Sequence, residues 1–222
     1  MNRGPLHQFL TGVTAGDAIT DQALLIRGWL REAGYQSEIF AWHLHASMEA
    51  EVRPMSAYRR GRGETRGIYH HSIGSDVPAF LAERGPRLIL IYHNVTPPEY
   101  FESSDPLRAY LARQGIEQLD GLRPHTELAL ADSRYNETDL RQAGFLRTAV
   151  LPLCLQTERY EGAVNVDLMK ELTGNGPKIL FIGRLAPNKR QEDLVKLLYF
   201  LRRFQPQAQL YLIGDRWEVG YD

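Results

Sequence analysis

The sequence predicts an α/β protein built on a doubly wound parallel sheet. Segments with strand and helix patterns alternate along most of the 222 residues. Several strand segments, such as RLILIYH at 87–93, are apolar throughout, which is typical of strands buried on both faces of a sheet. The first 42 residues already show the order strand, helix, strand, which indicates a parallel βαβ unit.

The opening unit begins with a short apolar run at 6–10 that stops at Thr11-Gly12. A helix follows, because apolar residues recur at spacings of four, three and four, namely Ile19, Ala23, Ile26 and Leu30. Gly34 is placed to end this helix, and SEIFAW at 37–42 is the second strand.

The alternation continues to residue 153, with strands at 67–72, 87–93, 127–133 and 148–153 and helices near 76–83, 105–119 and 135–143. A polar stretch at 154–177, with a Gly-Asn-Gly-Pro cluster, then breaks it. A strand at 178–183, a helix at 190–204 and a strand at 209–214 follow. We therefore expect an N-terminal domain at 1–153, a connection at 154–177, and at 178–222 the start of a second α/β domain, represented by one βαβ unit.

The overall charge and apolar content exclude several classes of protein. The net charge of −1 gives no basic field for nucleic acid, and the single Cys154 cannot form an internal disulfide. The start lacks a signal-peptide pattern, and the longest apolar run, at 88–92, is far too short to span a membrane. We expect a cytoplasmic protein that does not bind nucleic acid.

A basic cluster at 58–66 indicates an alternative location for the protein, at the inner face of a membrane. The stretch YRRGRGETR contains Arg59, Arg60, Arg62 and Arg66 against one glutamate. These arginines could contact anionic lipid head groups peripherally, whereas a solvated loop is the simpler interpretation.

The stretch FIGRLAPNKRQEDL, at 181–194, has the pattern of an anion site. An apolar strand ends at Gly183-Arg184, and Lys189 stands where a leucine-striped helix begins, with Asn188 and Gln191 spaced as a capping box. Unpaired N–H groups at the start of a helix attract phosphate, and the planar guanidinium of arginine can donate hydrogen bonds to two phosphate oxygens. Two solvated cations on a loop are the alternative. No GxxxxGK[ST] or GxGxxG motif is present.

Other polar residues follow predicted strands. The loop at 11–20, with Gly16 and Asp17, comes after the first strand, where ligands of open α/β sheets bind. A flexible turn with Asp17 or Thr14 capping the helix is the alternative. His93 and Asn94 end the strand at 87–93, where a structural histidine is the commoner case. His71 ends another strand beside His70, and only one of these two can face a cleft. Ser133 most simply caps a helix.

Three stretches resemble one known family. The GRLAPNK turn, the stretch HQFLTGVTAGDAITDQALLIRGWLREAGY and the strand end IYHNVTPPEYF are similar to those of bacterial family 4 retaining glycosyltransferases. The resemblance implies a GT-B fold with Rossmann-like domains. It also implies transfer of a sugar from a nucleotide-diphosphate sugar to a carbohydrate or lipid-linked acceptor hydroxyl, with retention, in glycan or polysaccharide biosynthesis.

The resemblance also assigns roles to residues. Gly183, Arg184 and Lys189 bind the donor diphosphate, with Gly16 and Asp17 near the same phosphates. His93 is the catalytic-site residue and positions the donor sugar by hydrogen bonding. Asn94, His71 and Ser133 are candidates for the cleft or the acceptor side. No metal or other cofactor is expected, since no Asp-x-Asp is present.

One departure from the family affects activity. The family's paired glutamates would lie beyond Asp222, so we expect the 222 residues alone to be inactive or nearly so. Two alternatives stay open: a non-catalytic module that binds a nucleotide or sugar phosphate, and another GT-B enzyme such as a nucleotide-sugar epimerase.

Overall fold

A computed structural model describes residues 3–155, 157 and 161–214, which fall into two compact units. The first unit comprises Met1–Pro97 and Tyr110–Leu155, and the second comprises Pro98–Ala109 and Gln156–Asp222. Parts of three predicted segments lie outside the described residues: positions 1–2 of the expected N-terminal domain, 156 and 158–160 of the expected connection, and 215–222 of the expected second domain.

The first unit contains a seven-stranded parallel sheet. Its strands, β1 to β7, are His7–Val13, Ile39–Leu44, Arg53–Pro54, Arg66–His71, Arg87–Tyr92, Thr126–Ala131 and Thr148–Val150. They lie in the order β3-β2-β1-β4-β5-β6-β7, and every neighbouring pair is parallel. The predicted parallel α/β fold is confirmed.

Four α-helices connect these strands: α1 Ala18–Glu32, α2 Val77–Arg84, α3 Pro106–Leu122 and α4 Arg134–Gln142. The first helix begins at a side-chain cap, because Asp17 Oδ2 accepts a hydrogen bond from the Thr20 amide. It ends at Glu32, and Gly34 follows with φ of 88°, the left-handed conformation in which glycine terminates helices.

Helices cover both faces of the sheet, as the doubly wound prediction requires. On one face Ala23 of α1 packs with Leu10 and Ala41 of the central strands. The opposite face carries an aromatic cluster in which the rings of Phe9 and Tyr58 lie 4.8 Å apart edge to face. Phe80 of α2 joins that cluster at 6.1 Å from Tyr58.

The connection from β3 to β4 was not predicted in this form. Strand β3 has two residues, and the chain then makes a 3-10 turn at Met55–Ala57 rather than an α-helix before β4. This leaves part of β2 uncovered on the aromatic face, where the Trp42 side chain is 40% exposed.

The second unit contains one βαβ motif and a further helix. Strands β8 (Lys178–Ile182) and β9 (Gln209–Ile213) pair in parallel around α6 (Gln191–Leu201), which confirms the predicted motif. Helix α5 (Val166–Leu172) lies within the stretch predicted as a connection, and Asn165 Oδ1 caps it. Many apolar side chains in this unit are exposed, among them Leu180, Ile182, Val195, Leu197, Tyr199 and Phe200.

Candidate functional site

The strand order of the first unit reverses between β1 and β4. From β1 the chain proceeds outward to β2 and β3, then returns to β4 on the other side. Ligands of open α/β sheets bind outside the carboxyl ends of the strands at such a reversal. The Thr11 and Ser75 hydroxyls, 2.9 Å apart, join the end of β1 to the segment after β4. The candidate residues of this unit lie around this edge.

The loop after β1 presents Gly16 at its exposed tip. Gly16 has φ of 79°, a conformation that other residues adopt only at a cost. Asp17 is half-buried, and its Oδ2 accepts hydrogen bonds from the Thr20 amide at 3.0 Å and the Thr20 hydroxyl at 3.1 Å. The Asp17 carboxylate therefore caps α1, which is the alternative that the sequence left open.

His93 belongs to a polar network that joins β1 and β4 to the residues just after β5 and β6. Gln8 Nε2 donates to the Ala23 carbonyl at 2.9 Å, and Gln8 Oε1 lies 3.0 Å from His70 Nε2. His70 Nδ1 lies 2.9 Å from His93 Nε2, and His93 Nδ1 lies 3.0 Å from Asp132 Oδ2. The two imidazole rings stack almost in parallel, and the His93 side chain is only 1% exposed.

The directions of two of these hydrogen bonds follow from Gln8. Gln8 Oε1 is an acceptor, so His70 Nε2 donates to it. Burial lowers the pKa of His70, and the neighbouring His93 lowers it further, so His70 is neutral and its Nδ1 accepts from His93 Nε2.

His71 points to the other face of β4 and is completely buried. Its Nε2 donates to the Gly115 carbonyl at 2.8 Å, and its Nδ1 lies 3.1 Å from the Tyr69 hydroxyl. Burial lowers the pKa of His71 to about 4, so the neutral form with the proton on Nε2 is preferred. The adjacent histidines thus face opposite sides of the sheet, as the strand alternation predicts.

Asn94 and Ser133 follow the ends of β5 and β6. Asn94 has φ of 68°, and its side-chain oxygen lies 3.5 Å from the Tyr92 hydroxyl. Ser133 Oγ accepts a hydrogen bond from the Asn136 amide at 3.1 Å and so caps α4, the simpler of the roles the sequence allowed.

In the second unit, the predicted anion motif forms the turn between β8 and α6. The Gly183 amide donates to the Ile213 carbonyl at 2.9 Å, which extends the pairing of β8 with β9. Arg184 and Lys189 are both exposed, and Lys189 ends a 3-10 turn at Pro187–Lys189. The turn therefore presents both cations immediately before a helix, as its pattern predicts.

The predicted capping box at this helix start is wrong. Arg190 is the N-cap, with φ of 54° and ψ of 44°, and it makes no side-chain cap hydrogen bond. The 3-10 turn shifts the start of α6 to Gln191, and Gln191 Nε2 instead donates to the Arg184 carbonyl at 2.8 Å. Gln191 thus ties the two ends of the turn together, a role that the motif spacing does not reveal.

The four arginines of the basic cluster have different surroundings. Arg66 forms a two-pronged ion pair with Glu127, at 2.8 and 3.1 Å, which raises the pKa of Arg66. Arg59 donates to the Ser56 and Tyr58 carbonyls, Arg60 donates to the Glu64 carbonyl, and Arg62 is exposed. Arg66 is therefore neutralised by a carboxylate.

Among the residues that the structure describes, no three His, Cys, Asp or Glu side chains converge as metal ligands would. No helix in that part of the chain is both long and apolar enough to cross a membrane.

No family model and no curated protein matches the sequence. Solved structures match its fold. Anabaena Alr3699/HepE in complex with UDP and glucose has a TM-score of 0.61 and 18% identity over 95% of this chain. An alpha-glucosyltransferase in complex with UDP-glucose and DNA containing an abasic site has a TM-score of 0.57 and 11% identity over 95%.

The fold is GT-B. An alpha-glucosyltransferase in complex with UDP and a 13-mer DNA containing a central A:G mismatch also matches, with a TM-score of 0.55 and 12% identity over 96% of this chain. This chain spans 61% of the length of the HepE structure and 56–57% of the two DNA complexes.

Proposed function

We propose that the chain is part of a retaining glycosyltransferase, which transfers a sugar from a nucleotide-diphosphate sugar to an acceptor hydroxyl. The observation that carries the proposal is the turn between β8 and α6, which presents exposed Arg184 and Lys189 before a helix. Structures that share the fold are described with UDP or UDP-glucose, and a diphosphate is the anion that two such cations would bind.

The chemistry follows from where charge develops. As the bond between the sugar C1 and the diphosphate oxygen breaks, its electron pair moves to the diphosphate. The acceptor oxygen forms the new bond to C1, and its proton passes to the departing diphosphate. Fixed cations lower the barrier because they stabilise the departing charge without reorganising. We assign this role to Arg184 and Lys189 and expect no metal ion to be needed.

The first unit would supply the sugar and acceptor side. Gly16 lets the loop after β1 approach the donor closely, and Asp17 holds that loop by capping α1. The His93 imidazole is buried and fully bonded, so we propose that it positions the strand end that carries Asn94. Direct contact between His93 and the donor sugar would require this network to open.

Calorimetry with UDP tests the phosphate site on the chain itself. Arg184→Ala and Lys189→Ala should each weaken UDP binding by about 5- to 150-fold, or roughly 1–3 kcal/mol for a charge-assisted contact. Lys196→Ala is the matched control, because Lys196 is exposed on α6 and pairs with Asp193. Unchanged affinity in both variants would show that the diphosphate binds elsewhere.

A product assay separates the proposed transfer from its alternatives. UDP- and GDP-sugars would be incubated with the full gene product, because the 222 residues alone are expected to be inactive, with and without EDTA, and with carbohydrate, lipid-linked or DNA acceptors. We expect a carbohydrate or lipid-linked product with the donor's anomeric configuration, and no effect of EDTA. Isomerised nucleotide sugar would indicate an epimerase, and binding without turnover would indicate a binding module.

The acceptor and setting follow from the same proposal. We propose a role in glycan or polysaccharide biosynthesis in the cytoplasm. We also propose that the basic cluster makes peripheral contact with a membrane. Arg66 would contribute little to such contact because Glu127 already pairs with it. Sedimentation with anionic and neutral vesicles tests the contact, and equal recovery on both would contradict it.

A further inference from the structure

A cleft of about 770 Å³ lies on the aromatic face of the first unit's sheet. It runs between α2 and the segment after β3. Aromatic and cationic side chains dominate its lining, namely Trp42, Tyr58, Phe80, Arg59, Arg60 and Arg84.

The cleft exists because the β3–β4 connection contains no α-helix. Ala41 of β2 is covered by α1, but its neighbour Trp42 faces the opposite side. There the edge of Phe80, 6.2 Å away at 70°, supports the Trp42 ring. Tyr58 is buried, and its hydroxyl is bound to Glu64 at 2.9 Å. Trp42 therefore presents a rigid apolar surface to the cleft.

The arginines are held in place by neutral groups. Arg59 Nη1 donates to the carbonyls of Ser56 and Tyr58, both at 2.7 Å, and the Arg84 guanidinium lies 5.5 Å from the centre of the Phe80 ring. Arg60 Nε donates to the Glu64 carbonyl at 3.2 Å. Within 3–155, 157 and 161–214, none of these three arginines lies within ion-pair distance of a carboxylate. Their charge is available to an anion.

Two carboxylates complete the lining. Asp76 and Glu83 stand on either end of α2 and also border the cleft. Carboxylates beside arginines offer both acceptors and donors to neighbouring hydroxyl groups, and a flat indole packs against the C–H face of a sugar ring.

We propose that this cleft binds an acidic carbohydrate. The sugar ring lies on Trp42, its carboxylate or phosphate is bound by Arg59 and Arg60, and its hydroxyls are bound by Asp76 and Glu83. Three arginines against two carboxylates favour an acidic sugar over a neutral one. Binding at this site requires no nucleotide sugar, so it can be tested independently of the proposed transfer.

Indole NMR on the full chain tests this site directly. The chain has three tryptophans, and Trp29, on α1, provides an exposed internal control. The ligands would be an oligogalacturonide, a neutral malto-oligosaccharide, glucose 6-phosphate and inorganic phosphate. We expect the Trp42 N–H signal to shift with the acidic sugars at about tenfold lower concentration than with the neutral one, and the Trp29 signal to stay.

Variants decide between a specific site and general charge attraction. Trp42→Ala and the double variant Arg59→Ala/Arg60→Ala should each abolish saturable binding of whichever acidic sugar binds. Arg62→Ala removes one charge from the same segment without touching the cleft and should bind normally. A carboxylate or a phosphate ligand is identified by whether the oligogalacturonide or glucose 6-phosphate binds more tightly. A response to inorganic phosphate alone, or equal binding to Trp42→Ala, would overturn the proposal.

Discussion

Two non-glycine residues adopt a left-handed backbone among the residues that the structure describes, Asn94 with φ of 68° and Arg190 with φ of 54°. Each directly follows a predicted site residue, His93 in the first unit and Lys189 in the second. Most residues adopt this conformation only at a cost of about 1–3 kcal/mol, although asparagine tolerates it better. Both turns thus carry backbone strain at positions that the proposed function uses.

Substitution of Asn94 separates its backbone role from its side-chain role. We expect Asn94→Val to lower the free energy of unfolding by about 1–3 kcal/mol, because a branched side chain resists positive φ. Asn94→Gly should stay close to wild type in urea denaturation. If Asn94→Gly nevertheless loses transfer activity, the side-chain amide of Asn94 contacts a substrate. Equal stability of the two variants would show that the backbone at Asn94 is not strained.

The network around His93 predicts a specific protonation pattern. At neutral pH, ¹⁵N NMR should show His70 with one proton, on Nε2, because this nitrogen faces Gln8 Oε1 and burial lowers the pKa of His70. His93 Nε2 then donates to His70 Nδ1. A His70 ring that carries protons on both nitrogens would contradict this arrangement.

Sequence reasoning located these residues but not their partners. The position of His93 at a strand end follows from the apolar run before it. Its partner His70 is 23 residues away on β4, and Asp132 is 39 residues away, just after β6. Local periodicity carries no information about such contacts, because they depend on the order of strands in the sheet. The caps at Asp17 and Ser133 could be predicted from the sequence, because a capping residue lies within one turn of its helix.

Among the elements, those with a strong period were predicted and those fixed by tertiary contacts were not. Strands β1, β2 and β4 to β7 and helices α1 to α4 were all predicted, and the apolar patterning is clearest in α1 and β5. Strand β3 has two residues, too few for any period, and it forms because it pairs with Phe40 and Ala41 of β2. Helix α5 spans only seven residues, none of them buried. Its apolar residues at 166, 169 and 172 are spaced as in a helix, but two turns are too short to stand out from the polar stretch around them.

Glycines in two helices should respond oppositely to a methyl group. Gly28 lies inside α1 with open space around it, so Gly28→Ala should stabilise the protein by about 0.5–1 kcal/mol. A Cβ on Gly115 of α3 would lie 2.6 Å from the Gly74 amide nitrogen, so Gly115→Ala should destabilise despite the same gain in helix propensity. Thermal unfolding of both variants measures the difference, and a stabilising Gly115→Ala would show that α3 does not pack this closely.

For the whole molecule, buried histidines predict sensitivity to acid. The pKa of His71 is lowered to about 4 and that of His70 is lowered well below 6.5, in both cases mainly by burial. Below pH 6.5 the unfolded chain binds more protons than the folded chain, so the free energy of unfolding falls as the pH falls toward 4. The slope is about 1.4 kcal/mol per pH unit for each histidine.

Urea unfolding at several pH values tests this dependence. His71→Gln keeps a donor for the Gly115 carbonyl but does not titrate, so its stability should fall less steeply between pH 6.5 and 4. Identical slopes for the wild type and His71→Gln would mean that His71 is protonated in the folded protein.

The sheet of the first unit ends in short strands on both sides. Strand β3 has two residues and β7 has three, whereas β1 has seven. Unpaired backbone groups on an edge strand invite the strands of other molecules, and such short edges offer few of them. This sheet is therefore poorly suited to templating intermolecular β-structure, so aggregation of this unit would have to begin from side-chain contacts or from unfolding.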